Sequence, residues 1–163
     1  MHAFPEKRSD QLTKAVDAPD AGLLSLDAQL CFLLYSSAHA MTRLYKPLLD
    51  KLGLTYPQYL VMMVLWEADG QTVNALGQRL ELDSGTLTPL LRRMADKGVL
   101  VRERDADDER RVRVRLTPAG VALREQAGEV PKAVLCALGV DEAGLARLRE
   151  TLREVRQRIG KPD

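Results

Sequence analysis

Aromatic residues are scarce in this 163-residue chain, and six of the seven (Phe32, Tyr35, Tyr45, Tyr56, Tyr59 and Trp66) fall in one early stretch. The rest of the chain offers no series of stacking platforms, which argues against single-stranded nucleic acid as a partner. Cysteine is nearly absent. Cys31 and Cys136, 105 positions apart, cannot make the disulfide framework of a small secreted domain. One sign of charge does not dominate either: the net charge is +1, so any nucleic-acid partner must be read from local charge distribution. Long apolar runs are missing. The longest, Tyr59 to Trp66, has eight residues, far short of a membrane span, and MHAFPEKRSD lacks the apolar core of a signal peptide. The expectation is a cytoplasmic protein with no membrane partner and no cofactor or metal, in a compartment where thiols are normally reduced.

What is present is a soluble composition, 45% hydrophobic and 29% charged, with strong periodicity. Residues 1–25 mix charges, Pro5 and Pro19 with few large apolar groups, and are read as a flexible arm. Leu26, Leu30, Leu34, Ala38, Met41 and Leu48 then recur at helical spacing, predicting a helix of about 20 residues that Pro47 stops near Lys46. A second helix is expected from Pro57 to about Ala68, and Thr72 caps a short third one to Leu80. In LELDSGTLTPLLRRMADKG, Asp83 is the N-cap of a fourth, with Leu82 stapled on Leu87 and Gly98 at its C-terminus. Pro89 leaves two readings open. Either that helix starts at Thr88 with Pro89 first, or it starts earlier and tolerates the proline.

From Val99 the period changes. Val99 and Val101, then Val112, Val114 and Leu116, alternate with arginines, predicting a two-stranded hairpin tipped by Asp105 to Arg110. Thr117-Pro118 opens a helix to about Gly128, which restarts at Pro131 and ends at Gly139. Asp141 caps a last one, with Leu145, Leu148, Leu152, Val155 and Ile159 on one face. Two short helices joined by a tight turn and followed by a hairpin make a winged helix-turn-helix.

Charge supports that reading. Between Arg92 and Arg115 nine basic residues stand against six acidic ones, a local +3 that leaves −2 elsewhere. Arg92, Arg93, Arg104 and Arg110 lie where phosphates would run. Ser84, Thr86 and Thr88 can reach base edges in a major groove. Arg110 is placed for a minor groove, with Asp108 close enough to hold it. The bland alternative is a solvated helix and hairpin whose charges confer solubility alone.

Cys31 sits in QLCFLLYSS, and a lone cysteine on an apolar helix is more often an inert core residue. Tyr35, four residues on, shares its helix face. Tyr45, fourteen residues on, lies roughly 21 Å along the axis, out of reach of its own chain's Cys31 but reachable in an antiparallel second copy. Phenol hydroxyls donating to sulfur favour the thiolate; packing with wet hydroxyls is the alternative. Cys136, by itself another core residue, is the only other thiol in the chain.

These segments resemble the organic-hydroperoxide sensors of the MarR family, the OhrR-type regulators. QLCFLLYSS, YKPLLDKLGLTYPQYLVMMVLWE, LDSGTLTPLLRRM and DDERRVRVRLTPAG carry the resemblance over roughly residues 27–135. It implies a mainly α fold with a small β-hairpin wing, and a symmetric homodimer formed through terminal helices. It further implies a peroxide-reactive Cys31, partner-subunit tyrosines at Tyr45 and Tyr56, and Cys136 as the resolving thiol of a two-cysteine subgroup, hence a disulfide between subunits. It also starts the recognition helix near Ser84. The chain departs from the pattern in its long arm and in Glu81, where tyrosine is often found just ahead of that helix. The resulting organisation is an arm over 1–25 and one domain over 26–163, with dimerisation helices at 26–56 and 117–163 around a winged helix-turn-helix at 57–116. The expected function is a repressor that binds an inverted-repeat operator in double-stranded DNA and releases it on reaction with organic hydroperoxide, rather than an enzyme. A MarR-type repressor released by an aromatic ligand and a thiol peroxidase are the alternatives.

Overall fold

The computed structural model describes residues 22, 24–105, 108 and 110–160, so nearly all of the expected arm lies outside the described residues. A 3-10 turn at Leu26–Ala28 precedes seven helices and three strands: α1 (Leu30–Asp50), α2 (Tyr56–Glu67), β1 (Gln71–Thr72), α3 (Val73–Leu80), α4 (Ser84–Asp96), β2 (Leu100–Arg104), β3 (Val112–Leu116), α5 (Pro118–Ala127), α6 (Glu129–Leu138) and α7 (Glu142–Ile159). The chain divides after Arg43, inside α1, into two compact units, and each is described by itself.

The first unit holds the 3-10 turn and the first turns of α1. The long helix starts at Leu30 rather than Leu26, because Leu26–Ala28 closes as a 3-10 turn with Gln29 donating to Leu26 O. Leu26, Leu30 and Leu33 are exposed, as is Cys31.

The second unit contains the core. α1 does not stop at Pro47 but carries it inside the helix and runs on to Asp50. One further turn brings Leu49 into the interior, where it is 1% exposed, and the end is then closed without strain. Gly53, at φ +65°, lets Leu54 N donate to Leu49 O and Gly53 N to Asp50 O, the paired bonds that satisfy a helix's last carbonyls. Leu54 is buried behind it.

α2 begins at Tyr56, one residue ahead of the sequence expectation, because Gln58 reaches back to accept from Thr55 N at 3.0 Å. Thr72 caps α3 by accepting from Ala75 N, and Asp83 caps α4 by accepting from Thr86 N. Pro89 lies inside α4, which starts at Ser84. Of the two readings, the one with a proline in the second turn therefore holds. Leu87, Leu90, Leu91 and Met94 of α4 are buried with Leu76 of α3 and Val61, Met62 and Leu65 of α2. Burying such side chains supplies roughly 1.5–3 kcal/mol each.

The hairpin is part of a three-stranded antiparallel sheet ordered β1-β3-β2. β1 is two residues long, too short to carry a periodic signal, and pairs Gln71 with Val114 and Thr72 with Arg113. In β2 the inward positions differ from the expected alternation: Leu100 is buried and Val101 is 39% exposed. The register explains this. Leu100 faces Leu116, Arg102 faces Val114 and Arg104 faces Val112, so Arg102 and Arg104 share the valine face of β3 while Val101 stands with Arg115. Where β2 enters the wing loop, buried Asp105 receives the Arg113 guanidinium at 2.8 Å, and Arg113 also donates to Gly70 O.

Past the sheet, Thr117 caps α5, and Gly120 is required by close approach: a Cβ there would collide with the Val99 carbonyl oxygen. Trp66 Nε1 donates to Gly120 O at 2.9 Å. α6 begins at Glu129 rather than Pro131 and buries Val130 and Val134. α7 is capped by Asp141 as expected and buries no residue.

Candidate functional site

Between the helix-turn-helix and the wing runs a groove of about 820 Å³. Ser84 and Thr88 line it from α4, Asn74 and Gln78 from α3, and Arg102, Arg110 and Arg111 from the hairpin. The caps position α4. Asp83 Oδ1 accepts from Thr86 N at 2.9 Å and Oδ2 from Thr86 Oγ1 at 2.8 Å. The Thr86 hydroxyl, followed by its backbone N–H, holds the Asp83 carboxyl below the usual carboxylate range. Thr86 thus spends its proton on the cap, whereas Ser84, Thr88 and Arg92 form an exposed row at four-residue spacing on α4. Arg93 is exposed on the same helix, away from buried Leu87, Leu90, Leu91 and Met94.

At the wing tip, Asp108 Oδ1 accepts from Arg110 N at 3.1 Å and from Arg110 Nε at 3.2 Å. Arg111 Nε approaches Oδ2 at 3.2 Å. The Arg110 side chain, followed by its backbone N–H, holds the Asp108 carboxyl below the usual carboxylate range. The Arg110 side chain remains 92% exposed, with its Nε held toward Asp108. Arg104 is exposed at the end of β2 and does not line the groove described above. Sequence reasoning counted Arg102 and Arg111 in the local basic charge without singling them out, and it missed Asn74 and Gln78. The signal for Arg102 existed in its two-residue spacing from Arg104, but the face it takes depends on the register with β3.

The thiol-site candidates fall in both units. In the first, Cys31 and Tyr35 lie on α1, both exposed, and the Tyr35 ring meets His39 edge-on with centroids 4.3 Å apart. In the second, Tyr45 and Tyr56 come together with ring centroids 4.9 Å apart. Tyr59, which periodicity did not single out, lies 6.0 Å from Tyr45 and stacks edge-on toward Trp66. Its signal was there: three residues after Tyr56 on the same helix. Burial pushes the Tyr45 phenol above its ordinary value, reinforced by Tyr56 and Tyr59 and opposed by the Arg149 charge. Burial also raises Tyr59. A phenol kept protonated remains a hydrogen-bond donor, the property needed beside a thiolate. Cys136 is exposed near the end of α6, and both cysteines are free thiols. Among the described residues no cluster of His, Cys, Asp or Glu could hold a metal ion, and no helix is long and apolar enough to cross a membrane.

A helix-turn-helix followed by an arginine-bearing wing defines a winged-helix regulator. The pattern of the SarA/Rot transcriptional regulators matches residues 43–126. The organic hydroperoxide resistance transcriptional regulator of Bacillus subtilis (strain 168) is 52% identical over 112 residues, spanning 69% of this chain and 76% of the relative. Among solved structures, reduced AbfR bound to DNA superposes with TM-score 0.73 at 31% identity, over 93% of this chain and 96% of that one. Disulfide-formed AbfR gives TM-score 0.59 at 31% identity, over 94% and 97%. The chain belongs to the MarR- and SarA-type transcriptional regulators, in the group of organic hydroperoxide resistance regulators.

Proposed function

We propose that this protein is a cytoplasmic repressor that grips an inverted-repeat operator as a homodimer and lets go when an organic hydroperoxide oxidises Cys31. The observation that carries the DNA half of this reading is the groove between α4 and the wing, lined by Ser84, Thr88, Arg102, Arg110 and Arg111. Small polar groups on a helix face read base edges, and a wing arginine suits the minor groove. AbfR supports it as a protein of the same fold that binds DNA when reduced. Arg92, Arg93 and Arg104 then serve the phosphates.

The dimer reading draws on the uncovered apolar positions of the flanking helices. Leu30 and Leu33 on α1, and Leu148 and Leu152 on α7, are all more than 40% exposed, surface a second copy would cover. In that dimer Tyr45 and Tyr56 of one copy donate to the Cys31 sulfur of the other, with Tyr35 beside it in cis. The Cys31 thiolate attacks the distal peroxide oxygen. The O–O bond breaks, the sulfur becomes a sulfenic acid, and the departing alkoxide takes a proton to become an alcohol. Cys136 of a second copy then attacks that sulfur, and an S–S bond forms as water leaves. The oxidant is reduced by two electrons and the two thiols are oxidised by two. The existence of a disulfide-formed state of AbfR supports this second step. A disulfide needs Cα atoms within about 7 Å; with the reduced thiols expected to lie farther apart than that, its formation shifts helices and with them the recognition helices. The chain acts as a regulator, as its relative in Bacillus subtilis is named, with one oxidation switching it.

The test is operator binding with and without an organic hydroperoxide. Wild type releases DNA, and runs as a covalent dimer on a non-reducing gel. Cys31→Ser keeps the DNA at every peroxide dose, and Cys136→Ser forms no covalent dimer. Release by Cys31→Ser on oxidation would remove Cys31 as the sensor.

A further inference from the structure

Glu81 is an acidic residue in a groove read as a phosphate-binding surface. It terminates α3 at φ 56° and is the only described non-glycine residue with positive φ. That conformation lets Leu82 N donate to Gly77 O at 2.9 Å, which tightens the turn into α4 and fixes where the carboxylate stands. Glu81 lines the same groove as Ser84, Thr88, Arg102 and Arg110. Unscreened, it would repel each phosphate that approaches. It is not left alone. Arg156 Nη1, from α7, lies 3.0 Å from Glu81 Oε1.

This contact joins the recognition turn to a helix that otherwise buries nothing. The other α7 pair, Arg153 with Glu150 at 2.9 Å, stays within its own helix. Both members of the Glu81–Arg156 pair are more than 60% exposed, and a pair in water adds little to folding. What it changes is the charge that DNA meets. We infer that Arg156 is a positioning residue for DNA binding: it masks the Glu81 carboxylate in the reading groove, so that displacement of α7 unmasks a negative charge against the operator. The inference rests on the DNA-reading proposal. It adds to it a second lever, by which movement of a flanking helix is felt at the turn before α4 electrostatically as well as by displacement.

The test uses the reduced full-length protein and a DNA duplex enriched by wild type from a random pool, titrated from low to high salt. R156Q is expected to weaken binding about three- to tenfold at low salt, with the loss fading as screening shortens the reach of the charge. R156K keeps most of the affinity, because the ammonium can still pair. E81Q removes the group that Arg156 acts through, so adding R156Q to E81Q costs nothing further. E81Q also leaves oxidised protein with a smaller drop in affinity than wild type shows. An R156Q loss of equal size with and without E81Q, or one that persists at high salt, overturns the inference and leaves the DNA reading intact. A wild type that enriches no duplex overturns the DNA reading and the inference with it.

Discussion

Leu91 and Leu152 are both leucines on amphipathic helices, yet Leu91 in α4 is 0% exposed and Leu152 in α7 is 42% exposed. The contrast extends to their elements. α4 buries four residues and α7 none. The winged head closes its core within one copy: its helices are capped by their own side chains, its sheet is paired through β3, and buried Asp105 is matched by Arg113. The flanking α7 carries a stripe of the same periodicity on which, among the described residues, Leu148, Leu152 and Ile159 stay exposed. Equal amphipathicity therefore serves two ends, one satisfied in cis and the other, on the proposed reading, in trans.

The largest effect expected from this contrast is on stability. Leu91→Ala should cost about 2–5 kcal/mol, since the cavity lies in a closed core, and denaturant unfolding measures it. Leu152→Asp should instead leave the head folded and push the protein toward monomer, read by sedimentation at several concentrations. A Leu152→Asp protein that stays dimeric breaks the comparison. The next effect sharpens it inside the head. Arg110→Ala should weaken operator binding by about 1–3 kcal/mol and lower the salt slope by roughly one. Its side chain is 92% exposed, so the thermal midpoint should not move. Unchanged affinity at two salt concentrations would place the wing tip in solvent.

The smallest effects are on the pH limbs. The Asp83 carboxyl is held low by Thr86, so the folded state prefers it charged. That contribution is present above the ordinary value of 3.8 and is lost as pH falls through the lowered one. Asp83→Asn should flatten part of the acid limb of thermal midpoint against pH. The Tyr45 phenol is raised, chiefly by burial, so its contribution is present below 10.0 and is lost as pH climbs through the raised value. Tyr45→Phe should flatten part of the alkaline limb. An alkaline limb identical in wild type and Tyr45→Phe would count against that burial.

Local chemistry was legible in the order of residues. Thr72, Asp83, Thr117 and Asp141 announced four helix starts because a cap is a bond between residues two or three apart. Asp108 and Arg110 met for the same reason, being neighbours at a tight turn. The group to which the chain belongs was legible too, in LDSGTLTPLL and LTYPQYL, whose residues carry caps, turn and core together. Four things were not. Pro47 sits inside a helix it locally opposes, and so does Pro89, which residue patterning left open and only the resemblance placed there, since burying Leu49 and the α4 leucines outweighs one missing hydrogen bond. Arg102 took the face opposite Val114 because strand register, set by pairing with β3, overrides the valine–arginine alternation. Tyr45 and Tyr59 share a cluster only because α1 and α2 bring them within 6.0 Å. Glu81 and Arg156 lie 75 positions apart, and only the folded chain sets them 3.0 Å from one another. Sequence determined what depends on neighbours along the chain; tertiary structure decided what depends on surfaces meeting across it, because burial and register are properties of the whole core.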